Sequence, residues 1–303
     1  MTENKFETPI LFIIFNRPNT AEKVFNEIKK IKPKKLFVSA DGPRENKPGE
    51  KEKCLATRKI IDQVDWECEV YKKYSDVNLG CKLGVSSGID WFFKNVEQGI
   101  ILEDDCLPAQ SFFKFCEELL EKYKNNEKIM MISGDNFQNS RQRGDGSYYF
   151  SKFSHIWGWA TWRRAWEHYS VNMEGYPKFK QDKKINAIWN KKYIRKYWTN
   201  IFDQVYENKI DTWDYQWAFS IWKMDGLCVI PNYNLISNIG FRDDATHTKS
   251  ANKLANQKIQ SMDIIKHPFK IEQNKKADNY YSKIFKKSLF KKILNKINAL
   301  YNL

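Results

Sequence analysis

The sequence lacks any cysteine pair with the spacing of a redox or metal motif, and any cysteine and histidine set with the spacing of a zinc site. Its six cysteines are scattered over 303 residues, which indicates free thiols in a reducing cytoplasm. The apolar run at residues 10–15 is too short to cross a membrane, and no longer one occurs. Because the first residues also lack the basic front and cleavage site of a signal peptide, we expect a cytoplasmic protein.

Glycine-rich phosphate-binding motifs are also missing from the sequence. Gly80, Gly84 and Gly88 are spaced by four residues, which matches neither the dinucleotide fingerprint nor the P-loop. We expect these glycines to serve turns and close helix packing. There is no internal repeat and no low-complexity linker, so the chain is predicted to fold as one large α/β unit with an appendage, or as two small domains.

The positive charge of the chain is concentrated at its C-terminal end. Residues 249–303 contain 13 lysines, no arginine and three acidic residues, so they carry +10 of the net charge of +14. The body before them is only mildly basic, whereas a nucleic-acid-binding domain would be basic throughout. We therefore expect no nucleic-acid partner for the body, and a local role for the basic tail.

Short apolar runs alternate with amphipathic helical patterns through the first half of the chain. Such alternation predicts the α/β class with a mostly parallel, Rossmann-like sheet, in which ligands bind at the carboxyl ends of the strands. The predicted strands lie at residues 9–15, 35–40, 67–74, 99–102, 128–133 and 227–230. The predicted helices lie at residues 21–31, 49–64, 82–95, 110–123, 185–208 and 213–223.

Polar clusters follow several of these predicted strands. Arg17, Asp41, Asn78 and the acidic run Glu103-Asp104-Asp105 all fall where a strand ends or shortly after it. In a parallel sheet these positions meet at one edge, which makes a shared site more plausible than any single cluster does. Taken alone, each cluster is also compatible with an ordinary solvated loop or with a charge at the start of a helix.

The acidic run is the strongest single signal in the sequence. Glu103, Asp104 and Asp105 end an apolar strand and come shortly before Pro108. Three adjacent carboxylates repel one another unless cations balance them, and hard divalent cations take oxygen ligands and bridge phosphates. The run therefore predicts a divalent-metal and diphosphate site, although a solvated acidic turn would have the same composition.

Two later segments carry further candidates for chemistry. Asp214 lies among large aromatic residues in TWDYQW, where a partly dry pocket would suit a general base. Asp211 is a nearby competitor, and Asp214 is equally compatible with a helix N-cap. His247 lies in a polar loop and is a candidate metal ligand together with Asp105, or an ordinary surface histidine.

The 11 tryptophans fall largely in two clusters, at residues 157–166 and 213–222. Aromatic rings can form core or stack against sugars. We take Trp157, Trp159 and Trp213 as candidate acceptor-binding residues, with core packing as the alternative. Among charged residues, Lys82 joins Arg17 as a candidate partner for phosphate.

At these residues the chain resembles the GT-A glycosyltransferases, and more narrowly the bacterial relatives of the N-acetylglucosaminyltransferases that act on protein N-glycans. The resemblance covers roughly residues 8–250. It rests on five motifs, which are PILFIIFNRP (9–18), SADGPR (39–44), GIILEDDCLPAQSFFKF (99–115), TWDYQW (212–217) and NIGFRDDATHT (238–248). It divides the domain, residues 1–250, into a nucleotide-binding half at about 8–135 and an acceptor half at about 136–250.

The resemblance implies a role for each matching donor-side residue. Asp105 would bind Mn²⁺ or Mg²⁺, and Glu103 and Asp104 would contact ribose or metal-bound water. Asp41 would contact uracil, and Arg17 would lie near the nucleotide. The donor implied is a UDP-sugar.

On the acceptor side, the resemblance makes Asp214 the catalytic base of a single displacement with inversion. His247 would complete the metal shell, although not all N-glycan relatives use such a histidine. The Golgi relatives have a membrane anchor that is missing from this sequence, which points to a bacterial cytoplasmic pathway.

Residues 283–303 have the pattern of a basic amphipathic helix. Phe285, Leu289, Ile293 and Ile297 recur every four residues, with lysines opposite. Such a helix suits an anionic membrane surface, or alternatively packs on the catalytic domain. With the tail at residues 251–303, we expect a peripheral protein on the inner face of the plasma membrane that acts on a saccharide or lipid-linked saccharide, as in lipopolysaccharide or capsule synthesis.

Two other functions remain open at this point. A sugar-phosphate nucleotidyltransferase shares the strand and helix alternation and the metal, but usually has a glycine-rich basic loop where this chain has Asn16-Arg17-Pro18-Asn19. A non-enzymatic membrane- or nucleic-acid-binding protein would use the basic tail and the aromatics, but would have no use for three carboxylates at the end of a strand.

Overall fold

The computed structural model describes residues 6–240 and 256–286, which form an α/β fold around one large sheet. The strands are β1 Ile10–Ile14, β2 Lys35–Ala40, β3 Glu69–Tyr74, β4 Gln98–Glu103, β5 Cys106–Pro108, β6 Ile129–Ser133, β7 Tyr148–Ser151, β8 Trp159–Trp162, β9 Leu227–Pro231 and β10 Ile236–Asn238. The helices are α1 Pro18–Ile31, α2 Glu50–Lys59, α3 Gly80–Asn95, α4 Gln110–Tyr123, α5 Arg163–Trp166, α6 Tyr176–Gln181, α7 Ile185–Ile188, α8 Lys192–Tyr206, α9 Asp214–Lys223 and α10 Lys275–Tyr281.

The large sheet has eight strands in the order β3-β2-β1-β4-β8-β6-β9-β7. Strands β3, β2, β1 and β4 are parallel neighbours, as are β6 and β9. Strand β8 lies between β4 and β6 and is antiparallel to both. Strand β7 is an edge strand, antiparallel to β9. The predicted α/β class with a mostly parallel sheet is confirmed. Strands β5 and β10 form a separate antiparallel pair beside the end of β4.

Apolar residues at alternate positions of the strands belong to two core layers, one on each face of the sheet. In β1, Leu11 and Ile13 belong to one layer and Phe12 and Ile14 to the other. Because side chains alternate between faces along a strand, a strand covered on both faces reads as a continuous apolar run. This burial explains why β1, β2 and β4 were predictable within one or two residues.

The described part of the C-terminal segment packs on the domain. Gln273 forms a β-bridge with Phe150 of β7, and the buried Asp278 of α10 accepts a hydrogen bond from the Ser151 hydroxyl at 2.5 Å. Phe285 is buried against Tyr197, with 4.6 Å between ring centroids. Phe285, the first residue of the predicted membrane-facing stripe, is therefore part of the core. Leu289, Ile293 and Ile297 lie outside the described residues.

Within residues 6–240 and 256–286, no helix combines the length and the apolar character that a membrane crossing requires. The six cysteines all lie in these ranges and are free thiols, four of them buried. The boundary at residue 250 stays a prediction, although residues 256–286 share the core of the domain that precedes them.

The buried His155 makes a prediction about acid stability. Its ring packs edge-on against Phe137 and Tyr281, and burial lowers the pKa of His155 to about 3. Between about pH 6.5 and pH 3, His155 is therefore protonated in the unfolded chain but neutral in the folded protein. Protonation thus favours the unfolded state, and the free energy of unfolding decreases as the pH falls through this range. Between pH 6.5 and pH 5 the loss amounts to about 2 kcal/mol.

We expect His155→Phe to unfold in urea with a flatter pH dependence than the wild type across this window. Because other groups titrate in both proteins, the quantity to compare is the difference between their unfolding free energies at each pH. Parallel curves for the two proteins would show that folding does not lower the pKa of His155.

Candidate functional site

A cavity of about 640 Å³ lies at the carboxyl ends of β1, β2 and β4. The first half of the chain contributes Arg17, Asp41 and the acidic run to its wall. Residues from later in the chain also line it, namely Trp157 and the segment from Ile210 to Tyr215 that leads into α9. The structure therefore brings several of the candidates, from distant parts of the sequence, to one cavity.

Arg17 holds the acidic run together. Its guanidinium lies 2.5 Å from Asp104 Oδ1 and 2.6 Å from Asp105 Oδ2. Asp104 is buried at the end of β4, and its Oδ2 also accepts a hydrogen bond from the backbone N–H of Phe15 at 2.9 Å. Pro18 starts α1 directly after Arg17, which fixes the guanidinium against the neighbouring strand end.

Burial sets the electrostatics of this cluster. Burial raises the pKa of Asp104, although the positive charge of Arg17 acts in the other direction. Burial also raises the pKa of Glu103, and the negative charge of Asp105 adds to that effect. Burial alone would lower the pKa of Arg17, but the neighbouring carboxylates outweigh it and raise that pKa. The guanidinium of Arg17 thus stays charged, and the groups of this cluster that take up protons as the pH falls are the carboxyl groups.

The cavity as a whole has an excess of acidic side chains. Six carboxyl groups line it, against two guanidinium groups, Arg17 and Arg44. A diphosphate that entered such a cavity would be repelled unless a further cation came with it. The balance of charge therefore favours a ligand made of an anion and a divalent cation together, over a free anion.

The acidic run could supply only some of the ligands of a metal ion. Within the described residues no group of three or more acidic, histidine or cysteine side chains is arranged to hold a metal. Asp105 is 8% exposed and lines the cavity, whereas Asp104 is nearly inaccessible. Magnesium is commonly held by one or two carboxylates plus substrate phosphates. The residues therefore fit a cation that Asp105 would share with phosphate oxygens, and do not form a complete protein shell.

The segment after β10 closes over Asp105. The backbone N–H of Ile239 donates to the Asp105 carbonyl oxygen at 2.8 Å, and a Cβ on Gly240 would fall 2.1 Å from Asp105 Oδ2. Only a glycine allows this approach. The next residues, 241–255, are outside the described part of the chain, and with them lies His247, whose role as a metal ligand remains a prediction.

The Arg17 cluster predicts a loss of stability on substitution. Arg17→Met would leave the buried Asp104 beside Asp105 without a compensating charge, which should lower the free energy of unfolding by about 2–3 kcal/mol. Arg44→Met is the matched control. Arg44 pairs with Glu50 but is itself more exposed than Arg17, so we expect its loss of unfolding free energy to be about 1 kcal/mol or less. Urea unfolding at pH 7 measures both. Equal losses in the two variants would contradict the assignment.

Asp41 has structural bonds already. Its Oδ1 accepts from the backbone N–H of Leu79 at 2.8 Å, and its Oδ2 accepts from Gly80 at 3.1 Å and from the Asn78 side chain at 3.0 Å. These bonds tie the end of β2 to the start of α3, and burial raises the pKa of Asp41. Asp41 lines the cavity, and its contact with a base stays a prediction.

The structure distinguishes the two candidate bases, Asp211 and Asp214. Asp211 accepts hydrogen bonds from the backbone N–H groups of Cys81 and Lys82 at 3.1 and 3.3 Å, so it caps helix α3. Asp214 lines the cavity as the first residue of α9 and is bonded to the Thr212 hydroxyl. Trp213 is the N-cap of α9, so the alternative role for Asp214 as the N-cap is not observed.

The three candidate tryptophans have different environments. Trp157 and Trp213 line the cavity, although Trp213 is only 2% exposed. Trp159 is fully buried in β8 and stacks on Trp213 with 5.7 Å between ring centroids. Its prediction as an acceptor-binding residue is wrong, because a ring with no exposed surface cannot contact a ligand. Core packing, the alternative, holds for Trp159.

Lys82 does not line the cavity. Its amine donates to the side-chain oxygen of Asn208, beyond the end of α8, at 2.7 Å. Its prediction as a phosphate-binding residue is therefore not supported by its position. The alternative, a charge in the first turn of a helix, describes it better.

Two residues in or beside the cavity received no role from the sequence. Arg44, within the SADGPR motif, lines the cavity over the Phe15 ring and is held by Glu50. Asp135 follows β6 and is buried, and its Oδ2 accepts from the backbone N–H of Trp157 at 3.0 Å, which positions the Trp157 loop. An acid soon after a buried strand was the signal that identified Asp105, and the same rule applied to β6 would have found Asp135.

Comparison with known proteins identifies no family: no family model matches the chain, and no curated protein matches it. Three solved structures are similar to it in part. HddC from Yersinia pseudotuberculosis is 7% identical, with 54% of this chain and 80% of that chain covered and a TM-score of 0.32. A UDP-glucose pyrophosphorylase complexed with UDP-glucose is 10% identical, with 53% and 70% covered and a TM-score of 0.29. The 4-diphosphocytidyl-2C-methyl-D-erythritol synthase from Anaerococcus prevotii DSM 20548 is 10% identical, with 61% and 85% covered and a TM-score of 0.32.

Proposed function

We propose that the chain is an enzyme that binds a nucleotide sugar in the cavity and transfers the sugar to a hydroxyl group of an acceptor. The observation that carries this proposal is that Asp214 and the acidic run line the same cavity. Glycosyl transfer needs both a region that accepts the leaving diphosphate and a base for the incoming hydroxyl. The acidic run would serve as the first and Asp214 as the second.

The residues of the nucleotide-binding half would hold the donor. Arg17 and Arg44 are the two guanidinium groups available to the diphosphate, with Asp41 and Glu103 as acceptors for the hydrogen-bond donors of base and ribose. A divalent cation, bound by Asp105 and the diphosphate, would balance the negative charge that grows on the leaving group. The metal, either Mn²⁺ or Mg²⁺, and the UDP-sugar donor are parts of this proposal.

The residues of the acceptor half would complete the reaction. Asp214 would accept the proton of the acceptor hydroxyl as that oxygen bonds to the anomeric carbon and the nucleoside diphosphate leaves. Displacement in one step inverts the anomeric configuration. Trp157, the more exposed of the two cavity-lining tryptophans, is the ring against which an acceptor sugar would stack.

The second candidate is nucleotidyl transfer to a sugar phosphate, the alternative that the sequence left open. Arg17 is placed where it could neutralise a pyrophosphate leaving group, and two of the three similar structures bear the names of a UDP-glucose pyrophosphorylase and a diphosphocytidyl-methylerythritol synthase. Against it, the loop after β1 has no glycine, and this reaction leaves Asp214 without a hydroxyl to deprotonate.

The products distinguish the two reactions. We would incubate the protein with Mn²⁺ and a panel of UDP- and GDP-sugars plus mixed saccharide acceptors, and separately with nucleoside triphosphates plus sugar 1-phosphates. Glycosyl transfer releases a nucleoside diphosphate in the first set, and nucleotidyl transfer releases pyrophosphate in the second. Pyrophosphate release alone would replace the first candidate by the second, and no product in either set would remove both.

The place of the reaction is a further part of the proposal. We retain a cytoplasmic enzyme on the inner face of the plasma membrane, with a saccharide or lipid-linked saccharide as acceptor and the tail at residues 283–303 as the membrane contact. The burial of Phe285 removes one apolar residue from that contact.

A further inference from the structure

A second cavity, of about 690 Å³, lies in the acceptor half, apart from the first. It is a groove between α6, the turn after it, α7 and the first turns of α8. We name it the basic groove and define it by Lys180 and Lys183 on one wall and Lys192, Arg195 and Lys196 on the other. Nothing in the proposed reaction uses these residues.

The charge of the basic groove is one-sided. Its single acid, Asp203, is already bonded to the Lys180 amine at 2.6 Å and to the Tyr176 hydroxyl at 2.6 Å. In the described part of the chain no carboxylate forms an ion pair with Lys183, Lys192 or Lys196. A concave surface with three cations that lack an anionic partner has a strong positive potential.

The backbone adds to this potential. Helix α8 starts at Lys192, and its N-cap, Lys191, makes no side-chain cap. The backbone N–H of Ile194 donates to the Lys191 carbonyl oxygen at 3.1 Å, whereas those of Lys192 and Tyr193 make no hydrogen bond within the described part of the chain. Lys192, Lys196, Thr199 and Asp203 follow one another at three- or four-residue spacing, so they form one stripe along the helix. Helix N-termini together with cations are the usual protein environment of phosphate.

The floor of the groove packs against α9, the helix that carries the candidate base. Tyr176 and Phe202 are buried there, and both pack edge-on against Phe219, at 5.7 Å between ring centroids in each case. Phe219 belongs to α9, the helix that begins with Asp214. The groove and the candidate base are therefore carried on helices that share one packed core.

We propose that the basic groove binds a phosphate or diphosphate group, carried either by a soluble molecule or by a lipid headgroup. The opposite charges of the two cavities assign them different ligands: the acidic one requires a cation with its diphosphate, whereas the basic one binds a phosphate directly. This inference stands on the groove alone and does not depend on the proposed sugar transfer.

The test compares the wild type with Lys192→Glu/Lys196→Glu. The control is Lys23→Glu/Lys114→Glu, which changes the charge equally at two exposed helical lysines elsewhere. One arm titrates each protein with inorganic pyrophosphate by calorimetry without divalent metal. The other measures sedimentation with vesicles of phosphatidylglycerol and phosphatidylcholine, or of phosphatidylcholine alone. Circular dichroism confirms that all three proteins are folded.

We expect the groove variant to lose at least ten-fold in affinity for one probe, with the control variant within two-fold of the wild type. Loss in the pyrophosphate arm identifies a soluble phosphate compound as the ligand, and loss confined to anionic vesicles identifies a lipid headgroup. The inference is overturned if the wild type binds neither probe, if the groove variant binds both as tightly as the wild type, or if the control variant loses as much as the groove variant.

Discussion

Replacing Asp214 by asparagine should lower the rate of sugar transfer by about 10²–10⁴-fold, the range that general-base catalysis contributes. The substitution keeps the shape of the side chain and its bond to the Thr212 hydroxyl, but removes the proton acceptor. Because Asp214 is not among the residues proposed to hold the donor, the dissociation constant of the donor should stay within about three-fold. Initial rates at saturating donor, together with calorimetric titration of the donor, measure the two effects separately.

Asp211→Asn is the control for this prediction. It is three residues away and lines the same cavity, but its carboxylate is engaged with the start of α3. We expect a loss of about 1 kcal/mol in unfolding free energy, as for other helix caps, and a transfer rate within ten-fold of the wild type. If the rate fell more in Asp211→Asn than in Asp214→Asn, the assignment of the base would have to be exchanged.

The second large effect concerns Asp105. Asp105→Asn should reduce turnover by about 10²–10³-fold, because an amide is a poorer ligand for a divalent cation and leaves the diphosphate charge less balanced. Arg17 retains Asp104 as its partner, so the thermal midpoint of unfolding should change little. The loss should appear as a need for more metal, which a titration of activity against Mn²⁺ concentration measures.

A specific control follows from the same geometry. Arg44→Gln removes a cavity-lining charge without touching the acidic run, so it should weaken donor binding while the metal concentration for half-maximal activity stays unchanged. Should Asp105→Asn show the same metal dependence as the wild type, Asp105 would have no part in binding the cation.

The part of this site that the first half of the chain supplies was predictable because its signals are local. Each buried strand reads as an apolar run, and the residue that follows it falls at the carboxyl edge of the sheet by topology alone. Arg17, Asp41 and Asp105 were found in this way, and all three line the cavity. What the pattern could not show is that Arg17 bonds to Asp104 and Asp105, since that contact depends on how two strand ends are spaced in the sheet.

The part of the fold after residue 135 was less predictable because its strands are out of sequence order. Strand β8 enters the sheet between β4 and β6, antiparallel to both, and is too short and too uniformly buried to show a period. Gly158, with φ of +67°, turns the chain between Trp157 and Trp159. Two tryptophans of the same motif thus end in the cavity wall and in the core, and composition cannot tell them apart.

The basic groove shows how an average hides a local feature. The body of the chain has a net charge of only +4, yet residues 178–196 contain eight basic residues and one acid. The net charge of the whole body does not reveal that basic segment. Only the packing of α6 and α8 shows that several of these side chains line one concave surface.

The central claim is that a nucleotide sugar and a divalent cation bind together in the acidic cavity. Calorimetric titration of the wild type and Asp105→Asn with a panel of UDP- and GDP-sugars, with and without Mn²⁺, tests it most directly. We expect at least one nucleotide sugar to bind the wild type only with Mn²⁺ present, and at least ten-fold more weakly to the variant. Binding that is equal with and without metal in both proteins, or no binding of any nucleotide sugar, would contradict the account.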